Sequence, residues 1–325
     1  MKSKEKIFVA GHRGLVGSAI LRELDRQGYQ NLLLRSHSEL DLTDRAATLE
    51  FFERERPDHV FLAAAKVGGI VANESYPADF IRENLEIETN VIEAAYRSDV
   101  KRLLFLGSSC IYPKLCPQPI KEEYLLTGPL EPTNRAYALA KIAGIEMCWS
   151  YNRQYGTQFL GAMPTNLYGP GDNFDPKNSH VLPALIRKAA EAVVAGQKSI
   201  VVWGTGTPRR ELLYSNDLAQ ACVFLMNLPD SEFSRLTKTG IEAPPLINIG
   251  TGKDLSVREL AELVCRIVGF DGELVFDTGR PDGTPRKLLD VSRINTLGWK
   301  AQTDLEEGIR RVYEAAKDLF AISAA

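Results

Sequence analysis

Tyr137-Ala-Leu-Ala-Lys141 sets a phenol and an ammonium four residues apart, a spacing that puts both side chains on one face of a helix. A lysine held beside a phenol lowers its pKa from about 10 toward neutrality. Such a hydroxyl can exchange protons with a sugar or alcohol oxygen. Ser108-Ser109-Cys110 closes an apolar run ending at Leu106-Gly107. Its hydroxyls can hydrogen-bond the same reacting oxygen, or cap a turn. Cys110 reads either as a small buried residue or as a thiol able to give or take a proton. His180, just before a helical run, reads either as its partner or as a structural histidine. The third element is Gly11-His-Arg-Gly14-Leu-Val-Gly17, a GxxGxxG rather than a GxGxxG, set between the first strand pattern and the first helix pattern. Glycine there permits the tight turn and lets the backbone approach a pyrophosphate, whose charge suits a helix N-terminus. Phenol, hydroxyls and phosphate turn together point to hydride transfer with a dinucleotide.

Which dinucleotide is decided at the end of the second strand. An acid there holds the ribose of NAD, whereas this chain reads Leu34-Arg35-Ser36-His37. Arg35, with Arg13 from the turn, favours a 2′-phosphate and hence NADP. Glu39 and Asp41 stand a few residues on, and either reaches the adenosine if the strand ends later.

Short apolar runs at Ile7–Ala10, Leu32–Leu34, Val60–Ala63, Leu103–Leu106 and Phe159–Ala162 read as buried parallel strands. Helical patterns lie between them at Leu15–Gln27, Arg45–Arg56, Phe80–Arg97 and Ala136–Tyr155, closed by Gly28, Pro57 and Gly156 among others. That order predicts an α/β fold, a doubly wound parallel sheet of Rossmann type. After about Pro164 the alternation loosens, with strand patterns at Ile200–Trp203, Leu246–Ile249 and Glu273–Phe276. The reading is a dinucleotide domain over residues 1–165 and a smaller α/β substrate lobe over 166–325, some of whose segments return to the first domain. Ser256-Val-Arg-Glu259 is a capping box opening a helix to about Val268, and Thr303–Leu319 is an amphipathic C-terminal helix. A cleft between the two lobes is the default site.

The 325 residues carry a net charge of −3 with both signs interspersed, which offers no basic face for nucleic acid. Five cysteines, at 110, 116, 148, 222 and 265, show neither a disulfide framework nor the spacing of a metal site, and suit a reducing cytoplasm. No apolar run approaches the length of a signal segment or a membrane span.

Gly11–Gly17, Ser108–Cys110, Tyr137/Lys141 and Pro164-Thr-Asn-Leu-Tyr-Gly169 together resemble the extended short-chain dehydrogenase/reductases that act on nucleotide-sugars. Ala63-Ala-Ala-Lys-Val-Gly-Gly-Ile70, Asn178-Ser-His180 and Val202-Trp-Gly-Thr-Gly-Thr-Pro208 extend the likeness over essentially the whole chain. It implies a bifunctional enzyme that epimerises C3 and C5 of GDP-4-keto-6-deoxy-D-mannose and then reduces C4 with NADPH. By this likeness Tyr137 is the proton donor in reduction, Lys141 tunes it and binds the nicotinamide ribose, and Ser108 binds the 4-oxygen. Cys110 and His180 are the base and acid of epimerisation. Cofactor contacts fall on Gly11, His12, Arg13, Gly14, Leu15, Val16, Gly17, Arg35, Asp41, Leu42, Ala63, Ala64, Leu106, Gly107, Ser109, Lys141, Pro164, Thr165, Asn166, Leu167 and His180. Lys188, Trp203, Arg210 and Asp282 take the nucleotide-sugar, with a buried core tryptophan the alternative for Trp203. No metal is implied. Two departures touch the diphosphate site: Tyr214-Ser-Asn-Asp217 replaces the usual His-Val-Asp-Asp, and Arg209 is an additional base before Arg210. The family's homodimer uses the helices at 80–97 and 136–155. Rivals on the same scaffold are a 4-epimerase, which has no need of Cys110 or His180, and a 4,6-dehydratase, which places an Asp-Glu pair where Ser109-Cys110 stand. A non-catalytic NADP-binding regulator is a third reading, which the retained Tyr137 and Lys141 oppose.

Overall fold

A computed structural model describes residues 1–176, 179–280 and 282–322; Asn178, from the likeness above, lies outside them. In chain order the first half runs β1 (Ile7–Ala10), α1 (Leu15–Arg26), β2 (Leu32–Leu33), α2 (Arg45–Glu55), β3 (His59–Leu62), α3 (Ile70–Ser75), α4 (Pro77–Arg97), β4 (Arg102–Leu106), α5 (Arg135–Tyr155) and β5 (Phe159–Pro164). Four of the apolar runs become strands buried on both faces, as parallel strands between helix layers must be. The expected buried strand at Leu32–Leu34 is instead a half-buried edge strand of two residues, because a neighbour covers only one side. β4 touches both α5 and α7 (Ser215–Asn227), and α5 packs on α4 while α7 packs on α1, so two groups of helices flank the sheet. Its order is β2-β1-β3-β4-β5-β9, all parallel, with β9 (Leu246–Ile249) supplied by the second half.

The second half begins with β6 (Asn166–Tyr168), α6 (Val181–Val194), β7 (Ser199–Trp203) and β8 (Arg209–Tyr214), then α7, α8 (Asp230–Thr237) and β9. It ends with β10 (Asp254–Ser256), α9 (Val257–Val268), β11 (Glu273–Asp277), β12 (Arg286–Lys287), α10 (Ser292–Thr296) and α11 (Leu305–Ile322). The central strand β8 pairs antiparallel with β10 and parallel with β6 and β12, while β7 and β11 form a separate parallel pair. α6, α9 and α11 pack together over a second core that includes Leu185, Ile186, Leu260, Val264, Ile309 and Val312. The Ser256/Glu259 capping box is formed. The first hydrophobic core takes in residues from both halves, including Leu213, Leu218, Ile247 and Ile294, because the chain crosses back to complete the large sheet. Among the described residues no helix is long and apolar enough to cross a membrane.

Candidate active site

Open α/β sheets place ligands beyond the carboxyl ends of their strands, and the turn after β1 is shaped for one. Gly11 has φ +83°, and a Cβ there would stand 2.7 Å from the Ala64 nitrogen; one on Gly17 would stand 2.1 Å from the Gly11 carbonyl oxygen. The turn is therefore closed on itself and on the end of β3 by backbone alone. Gly14 caps α1 without a side-chain hydrogen bond, and the first turn of that helix carries no acid. The first N–H groups of α1, on Leu15, Val16 and Gly17, accordingly have no partner within the helix. Free N–H groups at a helix N-terminus suit an anion. His12 Nδ1 is buried beside them without a hydrogen bond, and burial together with Arg13 pushes the imidazole below its usual range.

Arg13 is exposed and Arg35 half-buried. Arg35 donates to the Leu34 carbonyl at 2.8 Å and to Glu55 at 3.1 Å, with its guanidinium 5.4 Å from the Phe51 ring centroid. The two nearby acids are engaged locally. Glu39 accepts from the Ser36 N–H and hydroxyl at 2.7 and 2.6 Å, and Asp41 accepts from the Thr43 N–H and hydroxyl at 2.9 and 2.7 Å. Leu42 is buried and its carbonyl accepts from Asn90. Cradle, orphan imidazole nitrogen and arginines thus suit a phosphorylated dinucleotide.

At the end of β4, Ser108 caps a 3-10 turn over Ser109–Ile111, its Oγ accepting from the Cys110 N–H at 3.4 Å. Leu106, Gly107, Ser109 and Cys110 are buried and Ser108 is half-buried. Gly107 donates to Ala162 and Ala63 to Ala10, which ties the end of β4 to β5 and the end of β3 to β1. Thr165 and Asn166, after Pro164, both donate side-chain hydrogen bonds to the Glu211 carbonyl, at 3.2 and 3.0 Å, and Leu167 pairs with Leu213 across β6 and β8. These contacts tie the large sheet to the second lobe.

α5 forms readily from the alanine-rich Arg135-Ala-Tyr-Ala-Leu-Ala-Lys141. Tyr137 packs edge-on against Phe80 at 6.4 Å, and Lys141 Nζ stands 5.8 Å from the centroid of the Tyr137 ring. The spacing thus brings the two side chains together, but the expected lowering of the phenol does not follow. Burial pushes Tyr137 well above its usual range, and Cys110 and Glu88 push the same way. Burial is the main reason, and Lys141 pairs at 3.0 Å with the buried Glu88 of α4, which offsets its charge. A phenol so held stays protonated, the form a proton donor needs.

Cys110 is pushed up by burial and drawn back by Lys287. His180 is pushed down by burial and by the same Lys287. His180 nevertheless keeps exposed surface. Thiol and neutral imidazole, distant in sequence, therefore both sense one ammonium.

On the second lobe, Trp203 is 53% exposed, which removes the core reading. Lys188 and Arg280 stand 5.4 and 4.9 Å from its ring centroid, and Lys188 donates to the Val201 carbonyl at 2.8 Å. Asp282 accepts from the Thr205 N–H at 3.0 Å and hydroxyl at 2.7 Å, closing the loop after Trp203. Arg210 donates to the carbonyls of Arg209 and Thr284 at 2.8 and 2.6 Å. Arg209 points elsewhere, into Asp254 and Glu259 at 3.0 and 3.4 Å, so the additional base is spent on the scaffold. Asp217, in the other departing segment, accepts from Gln302, Thr303 N–H and the Thr303 hydroxyl; that segment is structural.

A family model described as the NAD dependent epimerase/dehydratase family matches residues 7–249. The chain belongs to that family. It is 57% identical over 309 residues to "GDP-L-fucose synthase 1" of Arabidopsis thaliana, covering 95% of this chain and 92% of the relative. Among solved structures, a Campylobacter jejuni GDP-6-OMe-4-keto-L-xylo-heptose reductase superposes with a TM-score of 0.92 at 42% identity, covering 98% of this chain and 99% of the other. A Naegleria fowleri GDP-L-fucose synthetase bound to NADP does so with a TM-score of 0.84 at 26% identity, covering 100% and 98%.

Two residues of this family member's site escaped sequence reading. Lys287 lies in the two-residue strand β12, whose register sets it opposite Arg210; so short a strand carries no periodicity. Glu88 looked like one more acid on the amphipathic helix α4, and only the packing of α4 on α5 buries it.

Proposed function

We propose that the chain is a bifunctional NADPH-dependent enzyme that converts GDP-4-keto-6-deoxy-D-mannose to GDP-L-fucose by 3,5-epimerisation and 4-reduction. What supports the reading on this chain is electrostatic: Lys287 acts on both Cys110 and His180, and Cys110 acts on Tyr137. The C4 ketone acidifies the hydrogens on C3 and C5, so one acid/base pair can invert both centres through enolates. Cys110 removes a proton, His180 returns one from the opposite face, and Ser108 with Tyr137 donate hydrogen bonds to the oxygen that gains charge. The resting thiol and neutral imidazole become this base and acid by passing one proton between them, with no change in total charge. Lys287 favours the thiolate and opposes the imidazolium. A substrate diphosphate held by Arg210 and Lys287 offsets that ammonium, which eases the imidazolium and withdraws part of the support for the thiolate.

When bound, NADPH supplies the hydride for C4. Gly11–Gly17, Arg13 and Arg35 hold its phosphates, Lys141 its ribose, and Tyr137 protonates the C4 oxygen. Trp203, Lys188 and Asp282 hold the nucleotide end of the substrate. The subunits pair through α4 and α5, and the lobe beyond residue 165 supplies most of the substrate contacts.

The deciding experiment incubates the protein with GDP-4-keto-6-deoxy-D-mannose and NADPH in deuterated water and locates label by NMR. Deuterium at C3 and C5 with NADPH oxidation is expected, and Cys110→Ser should abolish the label. Reduction without label in the parent protein would instead favour a simple C4 reductase, the activity named for the Campylobacter jejuni structure.

A further inference from the structure

Lys141 and Glu88 form an ion pair at 3.0 Å with side-chain exposures of 2% and 1%. Removing two charges from water costs several kcal/mol per ion, and apolar residues of similar volume hold helices together at least as well. The pair stands directly behind the phenol: Lys141 Nζ is 5.8 Å from the Tyr137 ring and 4.7 Å from the Phe105 ring. Neither Glu88 oxygen has an aligned hydrogen bond, so the carboxylate is held by charge alone. Space for it comes from Gly144, one helical turn beyond Lys141 on α5. A Cβ there would lie 2.9 Å from Glu88 Oε2 and 2.5 Å from the Phe105 ring.

We propose that Glu88 is a positioning residue for the reduction: its carboxylate holds the Lys141 ammonium behind Tyr137 and withholds that charge from the phenol until the cofactor ribose competes for it. The inference rests on the reductase reading above, with Tyr137 as proton donor. Groups facing the pair come from three elements. Cys148 of α5 feels the charge of Glu88, Cys110 of the β4 turn interacts electrostatically with both Tyr137 and Lys141, and Lys287 of β12 does so with Cys110. Glu88 and Cys110 push the phenol up, and the Lys141 ammonium lies 5.8 Å from its ring.

The sign follows. Replacing the carboxylate by an amide of the same shape leaves Lys141 uncompensated, which favours the phenolate, so Tyr137 loses its proton at lower pH. A change of one charge at this range moves such a group by about 1 to 3 pH units. The test is Glu88→Gln, read in two ways. In the cofactor-free protein, near-ultraviolet tyrosinate absorbance, with Tyr137→Phe subtracted, should rise at lower pH than in the parent. In the holoenzyme, the basic limb of reductase kcat should move down by about the same amount. Glu88→Asp keeps the charge but draws it back, and should shift both curves the same way by less. It also decides the matter if Glu88→Gln does not fold, through the same two curves. Curves coincident with the parent's, in variants whose thermal stability has fallen, would reduce the pair to a helix tie and overturn the proposal. Failure of the reductase reading looks different: the parent protein itself would not oxidise NADPH, while the tyrosinate titration would still decide the role of Glu88.

Discussion

The glycines of the phosphate turn are not equivalent, and substituting them singly separates folding from cofactor binding. At Gly17 an added Cβ would sit 2.1 Å from the Gly11 carbonyl oxygen and 2.6 Å from its carbon. Both neighbours are backbone, so no side-chain rotation relieves the clash and the turn itself must open. Overpacking of this kind costs about 1 to 3 kcal/mol, and a backbone-on-backbone contact belongs at the upper end. With about 2.1 cal/mol/K of unfolding entropy per residue, the 325 residues translate about 3 kcal/mol into a fall in Tm of about 4 °C. At Gly14 the same addition meets only the Gly11 oxygen, at 3.5 Å, an ordinary contact, and its φ of −77° with ψ 171° suits alanine. Gly14→Ala should therefore shift Tm by about 1 °C or less while placing a methyl where the pyrophosphate must approach, weakening the NADPH Kd by about tenfold or more. Differential scanning calorimetry and fluorescence titration with NADPH read the two quantities separately. A Gly17→Ala protein with the parent's Tm, or a Gly14→Ala protein with the parent's Kd, would refute the geometry of the cradle or the approach of a phosphate to it.

Arg35→Ala removes a charge-assisted contact worth about 2 kcal/mol, so the ratio of kcat/KM for NADPH over NADH should fall by about 30-fold; an unchanged ratio would dissociate Arg35 from the 2′-phosphate. Trp203→Ala should raise the substrate KM, losing about 1 to 3 kcal/mol of stacking, with little change in Tm because the ring is exposed. An unchanged KM would remove Trp203 from the site. Burial pushes the Asp172 carboxyl up from 3.8 to about 6, so the folded chain holds that proton more tightly than the unfolded one and stability falls as pH rises between those values. The span corresponds to a loss on the order of 3 kcal/mol, already complete at neutral pH. Asp172→Asn should flatten that part of the stability curve and raise stability at neutral pH, which denaturant titration across the window will measure.

Much of this was legible along the chain because it depends on one element at a time. Doubly buried strands must be apolar throughout, so the runs at 7–10, 103–106 and 159–162 announced a parallel sheet, and the glycine turn lay where β1 meets α1. Helical periodicity put Tyr137 and Lys141 on one face whatever packed against it. Cys110 and His180 stood out as a thiol and an imidazole able to move protons, and the family resemblance gave them their roles and added Trp203. The return of Leu246–Ile249 to the sheet edge was visible as a strand but not as a neighbour of β5.

What the amino-acid order determined by itself was the set of faces: which side chains share a helix surface, which backbone can approach a phosphate, which runs must be covered on both sides. The tertiary structure alone decided what those faces meet. It buried the Tyr137 phenol, which turned its shift upward, and placed Glu88 against Lys141, which pushes the same way. It also aligned Lys287 with Arg210 through a strand of two residues and turned Arg209 away into Asp254. The reason is that periodicity is a property of a single segment, whereas burial and Coulomb interaction depend on groups brought close from segments far apart in the chain.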